Sequence, residues 1–382
     1  MRIGIVAFRQ QPYISANTAI AYIIGEQISK RNDVIYIGHK QDKKQDCVKT
    51  YQNSKVFFFN EEPVREQSRI KDYLVRCGLP WVGFYKEAHT LAQIIKRESV
   101  DAVICVIAPN EDAFITMSAM LKVPVYFYQL DPFYNLHDVD NKWQKRIFIH
   151  YLRRVNHLFT TELLMNLYKK DPMFKQLLRK ISVVQFPKLI NYTDNDIKIK
   201  EKTILLYSGS LYADRRPEYL IELVSCLPEN CEIVFCGKCE MKDDEEKLLN
   251  NGVKCKGYCS QSELKKEMAR ADIFINIGNT VKNQMPSKVI DYIAYGKPII
   301  NLSQIEMCSS KNVLKNYRYY FDVNVQTIQK RRNEIRNFII QHKGKRIPWD
   351  EVQKQYREYT PEYVVEHIMQ EIEKDVCKEM KQ

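Results

Sequence analysis

A chain of 382 residues exceeds one ordinary hydrophobic core and suits two domains of roughly 190 residues each. Its hydrophobic content of 45% and aromatic content of 11% are those of a folded globular protein, and no run reaches the roughly 18 to 20 apolar residues that a spanning helix needs. The formal net charge of +12 is uneven: residues 1–190 carry 28 Lys and Arg against 18 Asp and Glu, while residues 191–382 carry 31 against 29. The first half is therefore expected to meet an anionic partner, whether membrane surface, lipid phosphate or nucleic acid, unless the charge serves solubility alone.

The opening Met1-Arg2-Ile3-Gly4-Ile5-Val6-Ala7-Phe8 is too short an apolar stretch for a signal peptide before Arg9-Gln10-Gln11-Pro12, and it reads as a first strand. A cytoplasmic location follows as an expectation. Eleven cysteines without an export signal then imply a reducing compartment and no disulfides. Strand-like runs over 34–37, 56–59, 102–107 and 125–128 alternate with helical patterns over 19–28 and 90–96. The second half repeats this with strands over 203–207, 232–236, 253–255, 273–277 and 298–301, and helices from Pro217, over 262–269 and over 289–295. Continuous Val/Ile-rich strands between helices predict parallel sheets covered on both faces.

The expected fold class is α/β, with two doubly wound Rossmann-like domains facing across a cleft. Residues 1–188 form the first, the polar stretch 189–202 is a linker, 203–345 form the second, and helices in 346–382 pack back across both. Thr360-Pro361 predicts the cap and first position of a last helix, whose apolar residues Val364, Val365, Ile368, Met369 and Ile372 recur at helical spacing.

Two segments carry chemistry. In Tyr207-Ser208-Gly209-Ser210-Leu211-Tyr212-Ala213-Asp214-Arg215-Arg216-Pro217 a strand meets a small-residue turn, two arginines and a helix start. Small residues let amides approach an anion, and guanidinium forks hold phosphate oxygens; a pair of solvated surface arginines is the alternative. In the second, Asn283-Gln284-Met285-Pro286-Ser287-Lys288-Val289-Ile290-Asp291, a helix begins near Pro286 and Ser287, and Asp291 is placed one turn in to accept hydrogen bonds from ribose hydroxyls. An ordinary helix ended by Gly296 is the alternative.

The second segment resembles the donor-binding signature of retaining GT-B glycosyltransferases, the group 1 or family 4-like kind, which reads E-x7-E followed by A-x-G-x-P. Asp291 stands at the second Glu, Asn283 at the first, and Ala294, Gly296 and Pro298 match the tail. Pro286-Ser287-Lys288 looks like a P-S-K variant of the family. The first segment resembles the family's pyrophosphate-binding strand and turn, with Arg216 at a cationic position and Ser210 where another Arg usually stands. Val253 to Tyr258 and Ala271-Asp272-Ile273 resemble two further strand motifs of the family.

The resemblance implies a metal-independent, retaining transfer from a nucleoside diphosphate sugar, a co-substrate rather than a cofactor, to an acceptor hydroxyl. It implies donor-binding roles for Gly209, Ser210, Arg215, Arg216, Tyr258, Pro286, Ser287, Lys288 and Asp291. Arg216, Asn283 and Asp131 are the catalytic candidates, Asp131 standing in Gln129-Leu130-Asp131 where the family has a His-Asp, with His137 nearby. Ser15 and Asn17 are the acceptor-side candidates, in a first loop that lacks the family's glycines. Expected partners are the nucleotide-sugar donor and a glycan or lipid-linked acceptor of cell-surface polysaccharide or glycolipid synthesis, with no nucleic acid.

Other readings compete. Asp138-Val139-Asp140 is a D-x-D of the metal-pyrophosphate type, although it lies in the half without donor motifs. Cys236, Cys239, Cys255 and Cys259 approach zinc-site spacing, or are core thiols at strand ends. The basic, aromatic stretch 142–154 suits a helix lying on an anionic membrane from the cytoplasmic side, or one covering the first sheet. A nucleotide-sugar epimerase on the same architecture and a basic nucleic-acid-binding protein are the alternative functions.

Overall fold

The computed structural model describes residues 1–9, 16–39, 54–60, 84–107, 116, 119, 121–132, 142–192, 202–212, 214–282, 284 and 286–379. The chain divides into two compact units, Met1–Lys188 with Glu358–Gln382, and Leu189–Arg357. In each, apolar runs form strands that pair in parallel throughout the described residues.

The first unit has a seven-stranded sheet in the order β3-β2-β1-β4-β5-β6-β7, with β1 Arg2–Arg9, β2 Asp33–His39, β3 Ser54–Asn60, β4 Ala102–Ile107, β5 Val125–Gln129, β6 His157–Thr160 and β7 Ile181–Val183. Its helices are α1 Ala16–Ser29, α2 Tyr85–Arg97, α3 Lys142–Arg154 and α4 Glu162–Lys170. A core of Ile, Val, Leu and Phe side chains from β2, β4, β5, α2, α3 and α4 fills one face.

The last helix, Pro361–Glu379, belongs to this unit and packs against α1. The Thr360 hydroxyl caps it by accepting from the Tyr363 amide at 3.3 Å, and Val364, Val365, Ile368, Met369 and Ile372 are all buried. Asp375 then accepts the Tyr126 hydroxyl of β5 at 3.1 Å.

The second unit has a six-stranded sheet in the order β10-β9-β8-β11-β12-β13: β8 Thr203–Ser208, β9 Cys231–Cys236, β10 Val253–Cys255, β11 Ile273–Ile277, β12 Ile299–Ser303 and β13 Tyr320–Asn324. Between them run α5 Glu218–Val224, α6 Lys242–Asn250, α7 Gln261–Arg270, α8 Lys288–Ala294 and α9 Ser309–Leu314, with α10 Arg332–His342 and α11 Trp349–Gln355 after the sheet. The α7 start is a capping box in which Ser260 and Glu263 exchange bonds. At its other end the buried Lys297 ammonium donates to the Met268 and Ala269 carbonyls at 3.0 and 2.6 Å, supplying last-turn groups with a donor.

Both sheets start in the middle and reverse direction, between β1 and β4 in the first and between β8 and β11 in the second. In such sheets the crevice outside the carboxyl ends of the strands at the reversal is where ligands lodge. Helix α8, next to the second reversal, ends at Gly296, whose φ of +68° is the left-handed value a helix terminator requires. A Cβ there would stand 2.3 Å from the Ile347 carbonyl oxygen. Gly296→Ala is therefore expected to cost roughly 2 to 4 kcal/mol, strain and backbone displacement together. A lowered midpoint of urea unfolding by circular dichroism checks it, and an unchanged midpoint contradicts it.

Candidate functional site

Three strand ends of the second unit lie side by side. The Gly209 amide donates to the Cys236 carbonyl, and the Gly237 amide to the Gly257 carbonyl, both at 2.9 Å. A Cβ on Gly237 would stand 1.7 Å from the Gly209 carbonyl oxygen, so only glycine allows the loops after β8 and β9 to meet. Beyond them Tyr258, 59% exposed, carries the Lys238 ammonium 4.8 Å above its ring centroid.

On the other side of β8, helix α8 is fastened to the last residue of the strand. The Tyr292 hydroxyl lies 3.1 Å from the Ser208 amide and 3.0 Å from its hydroxyl, and the Lys288 ammonium donates to the Ser208 carbonyl at 2.8 Å. Tyr292 is stacked on Phe274 with centroids 4.5 Å apart, and burial pushes its phenol up to about 12, so it stays protonated and available as a donor. Asp291, half-buried, lies on the same helix, and its charge adds to the burial that holds the Tyr192 phenol well above the usual range.

The loops after β8 and β11 are laced together across the reversal. Arg215 Nη2 donates to Asn279 Oδ1, and Thr280 Oγ1 donates to Asp214 Oδ2 at 3.2 Å. The Arg215 guanidinium also sits over the Tyr212 ring at 5.2 Å, while its Nε is buried with no hydrogen-bond partner among the described residues. Arg216 is exposed, and its side chain makes no hydrogen bond or ion pair among the described residues, while its carbonyl accepts from the Tyr219 amide at 3.3 Å.

The predicted donor residues thus divide. Gly209, Arg215, Pro286, Ser287, Lys288 and Asp291 gather at the carboxyl ends of β8 and β11 and the start of α8, Ser210 is exposed beside Gly209, and Tyr258 lies past β10. Asn283 falls outside the described residues, as do Ser15, His137, Asp138 and Asp140. In the first unit, Asn17 lies in the first turn of α1, and Asp131 follows β5. There the buried Gln129 donates to the Asp131 carbonyl at 2.9 Å and accepts the Tyr168 hydroxyl at 2.6 Å, fixing the turn.

Sequence reasoning did not single out Asn279, Tyr292 or Ser309. The spacing of Tyr292 four residues after Lys288, one helical turn, is the signal that could have found it. The four cysteines do not form a metal centre: no suitable group of three or more His, Cys, Asp and Glu occurs among the described residues. Burial pushes the Cys236 thiol up to about 12 and those of Cys239 and Cys255 to about 11, keeping them protonated.

Residues 192–337 match the family model of group 1 glycosyl transferases. No curated protein matches the chain significantly. Among solved structures, sucrose-phosphate synthase from Thermosynechococcus elongatus superposes with a TM-score of 0.69 at 11% identity, over 99% of each chain. Anabaena HepE in complex with UDP-glucose gives 0.60 at 12% identity over 100% of this chain and 99% of that one. WaaG, a glycosyltransferase involved in lipopolysaccharide biosynthesis, gives 0.60 at 13% identity over 98% of each. The two units therefore form the GT-B fold, and the second carries a group 1 glycosyltransferase domain.

Removing the Tyr292 hydroxyl leaves the buried Ser208 amide without its side-chain acceptor. Tyr292→Phe is expected to destabilise the second unit by about 1 to 3 kcal/mol, the cost of an unsatisfied buried donor. Equal thermal midpoints for the two proteins would remove Tyr292 from this role.

Proposed function

We propose that the chain transfers a glycosyl group from a nucleoside diphosphate sugar to an acceptor hydroxyl. The observation that carries the reading is the buried, unpartnered Nε of Arg215, close to the reversal between β8 and β11 where Lys288 is fixed on β8. A guanidinium edge with an unused donor suits a diphosphate oxygen, and Lys288 adds a second cation, so charge gained by the leaving diphosphate is neutralised by side chains without a metal. Asp291 accepts from the ribose, Tyr258 and Lys238 flank the base, and Asn283 contacts the sugar. Asp131 serves on the acceptor side. Retention of configuration, by analogy with the family, is part of the same reading.

HepE has been solved with UDP-glucose and WaaG is described as acting in lipopolysaccharide biosynthesis, which supports a UDP-hexose donor and a cell-surface glycan or glycolipid acceptor. The Arg216 side chain, exposed beside Arg215, supplies long-range attraction for the donor. Arg215→Ala is thus expected to lower kcat/KM by roughly 2 to 4 kcal/mol of transition-state stabilisation, and Arg216→Ala by about 1 kcal/mol or less. Steady-state kinetics with UDP-glucose and other nucleotide sugars decide it: a larger loss at Arg216 would reverse the two roles. Conversion of the donor into an isomeric nucleotide sugar with no acceptor present would instead indicate an epimerase.

The basic helix α3 supports a second part of the reading, peripheral contact with an anionic membrane. Phe148, Ile149, Tyr151 and Leu152 are buried, whereas Lys142, Arg146, His150, Arg153 and Arg154 are exposed. Burial, Arg154 and Arg153 push the His150 pKa down, so the face acts mainly through four cations. Each contributes about 1 kcal/mol near an anionic surface. The protein is expected to sediment with anionic vesicles at low salt, less at high salt, and not with neutral ones. Equal partitioning onto both vesicle types would leave the charge as a solubility feature.

A further inference from the structure

Under the proposed donor side of the site runs a polar ladder, buried at Asn276 and Asn301 and half-buried at Asp322, that the chemistry above does not use. Asn276 of β11, Asn301 of β12 and Asp322 of β13 are register partners on three adjacent strands. Asn276 Nδ2 donates to Asn301 Oδ1, and Asn301 Nδ2 to Asp322 Oδ1, each at 2.6 Å. The other Asp322 oxygen receives the Lys311 ammonium at 3.0 Å and the Ser303 hydroxyl at 3.2 Å. Polar groups inside a sheet carry a desolvation cost that aliphatic side chains avoid, and a fully bonded set of them fixes the orientation of what it touches.

What this ladder touches is the start of α9. Ser310 Oγ donates to Asn301 Oδ1 at 2.9 Å, and the adjacent Ser309, 1% exposed, donates to the Gln284 carbonyl at 2.7 Å. That carbonyl also accepts Asn279 Nδ2 at 3.0 Å. A carbonyl only accepts and a guanidinium only donates, so the Asn279 amide has one orientation, with Oδ1 towards Arg215.

We propose, on the donor-binding reading above, that Ser309 is a positioning residue for the diphosphate site: it holds the Gln284 carbonyl and, through Asn279, the Arg215 guanidinium. Its removal is tolerable for the fold, because in Ser309→Ala the Gln284 carbonyl keeps the Asn279 bond.

Calorimetric titration with UDP and with GDP tests this on the wild-type chain, Ser309→Ala, Ser310→Ala, Arg215→Ala and the Arg215→Ala/Ser309→Ala double variant. Ser309→Ala is expected to weaken binding of the preferred diphosphate roughly fivefold, the factor of one net hydrogen bond. Ser310→Ala, equally buried but bonded to Asn301, is expected to lower Tm comparably while changing affinity less than about twofold. Ser309→Ala is likewise expected to add less than about twofold once Arg215 is gone, because nothing remains to be positioned. Unchanged affinity in Ser309→Ala, or the same loss with and without Arg215, overturns the positioning role while leaving the donor site standing. A wild-type chain that binds neither UDP nor GDP overturns both.

Discussion

The second unit depends on how the last residue of β8 is finished. Ser208 sits at the reversal, where its strand has β9 on one side and β11 on the other, and its amide, hydroxyl and carbonyl are buried polar groups that need partners. Tyr292 and Lys288, one helical turn apart on α8, supply them. Sheet and helix are thereby fixed to each other at the point where the chain turns out towards Arg215. The stacking of Tyr292 on Phe274 makes the arrangement rigid, because the phenol that bonds Ser208 is itself clamped between strand and helix.

Much of this architecture was legible because parallel strands buried on both faces are mostly apolar, as in β1, β4 and β8, and in β11 and β12, where Ile, Phe and Leu outnumber Asn276, Asn301 and Ser303. Strands β6, β7 and β13 escaped because they contain His157, Ser182 and Asp322, which are satisfied sideways: His157 by Ser182, and Asp322 by Asn301. Lateral pairing of polar groups leaves no trace in hydrophobic periodicity. Motif spacing singled out Gly209, Lys288 and Asp291, which the structure brings to the carboxyl end of β8 and to helix α8. It could not tell Arg215 from Arg216, because adjacent residues in an irregular turn have no period to assign them faces, and there the structure brings Arg215 to Asn279 and leaves Arg216 exposed. Asn279 and Ser309 escaped for a related reason: their roles run through the Gln284 backbone carbonyl, which every residue type possesses.

The amphipathic stretch 142–154 shows how far a pattern can be read. Its apolar and basic residues fit a membrane helix and a sheet-covering helix equally, since both need two faces. Burial of Phe148, Ile149, Tyr151 and Leu152 in the core of the first unit takes up the apolar face. What remains is electrostatic, so contact with an anionic surface would be shallow and screened by salt rather than anchored by hydrophobic insertion.

The same distinction between charge and contact applies to the two cations of the proposed donor site. A bond to a neutral carbonyl does not itself offset an ammonium's charge, so the bond from Lys288 to Ser208 restricts the side chain's motion without cancelling its field. Arg215 differs, because its guanidinium is held at one corner by Asn279 while Nε has no hydrogen-bond partner among the described residues. A buried donor left unsatisfied costs about 1 to 3 kcal/mol, and that cost is relieved when an acceptor arrives. On the proposed reading both groups are therefore in place before the diphosphate binds, and no reorientation would oppose them as negative charge develops. A flexible surface lysine or arginine would lose part of its attraction to ordering. If Ser309 positions Arg215 as proposed, the polar ladder that Ser310 bonds beside it has a functional reason to be polar.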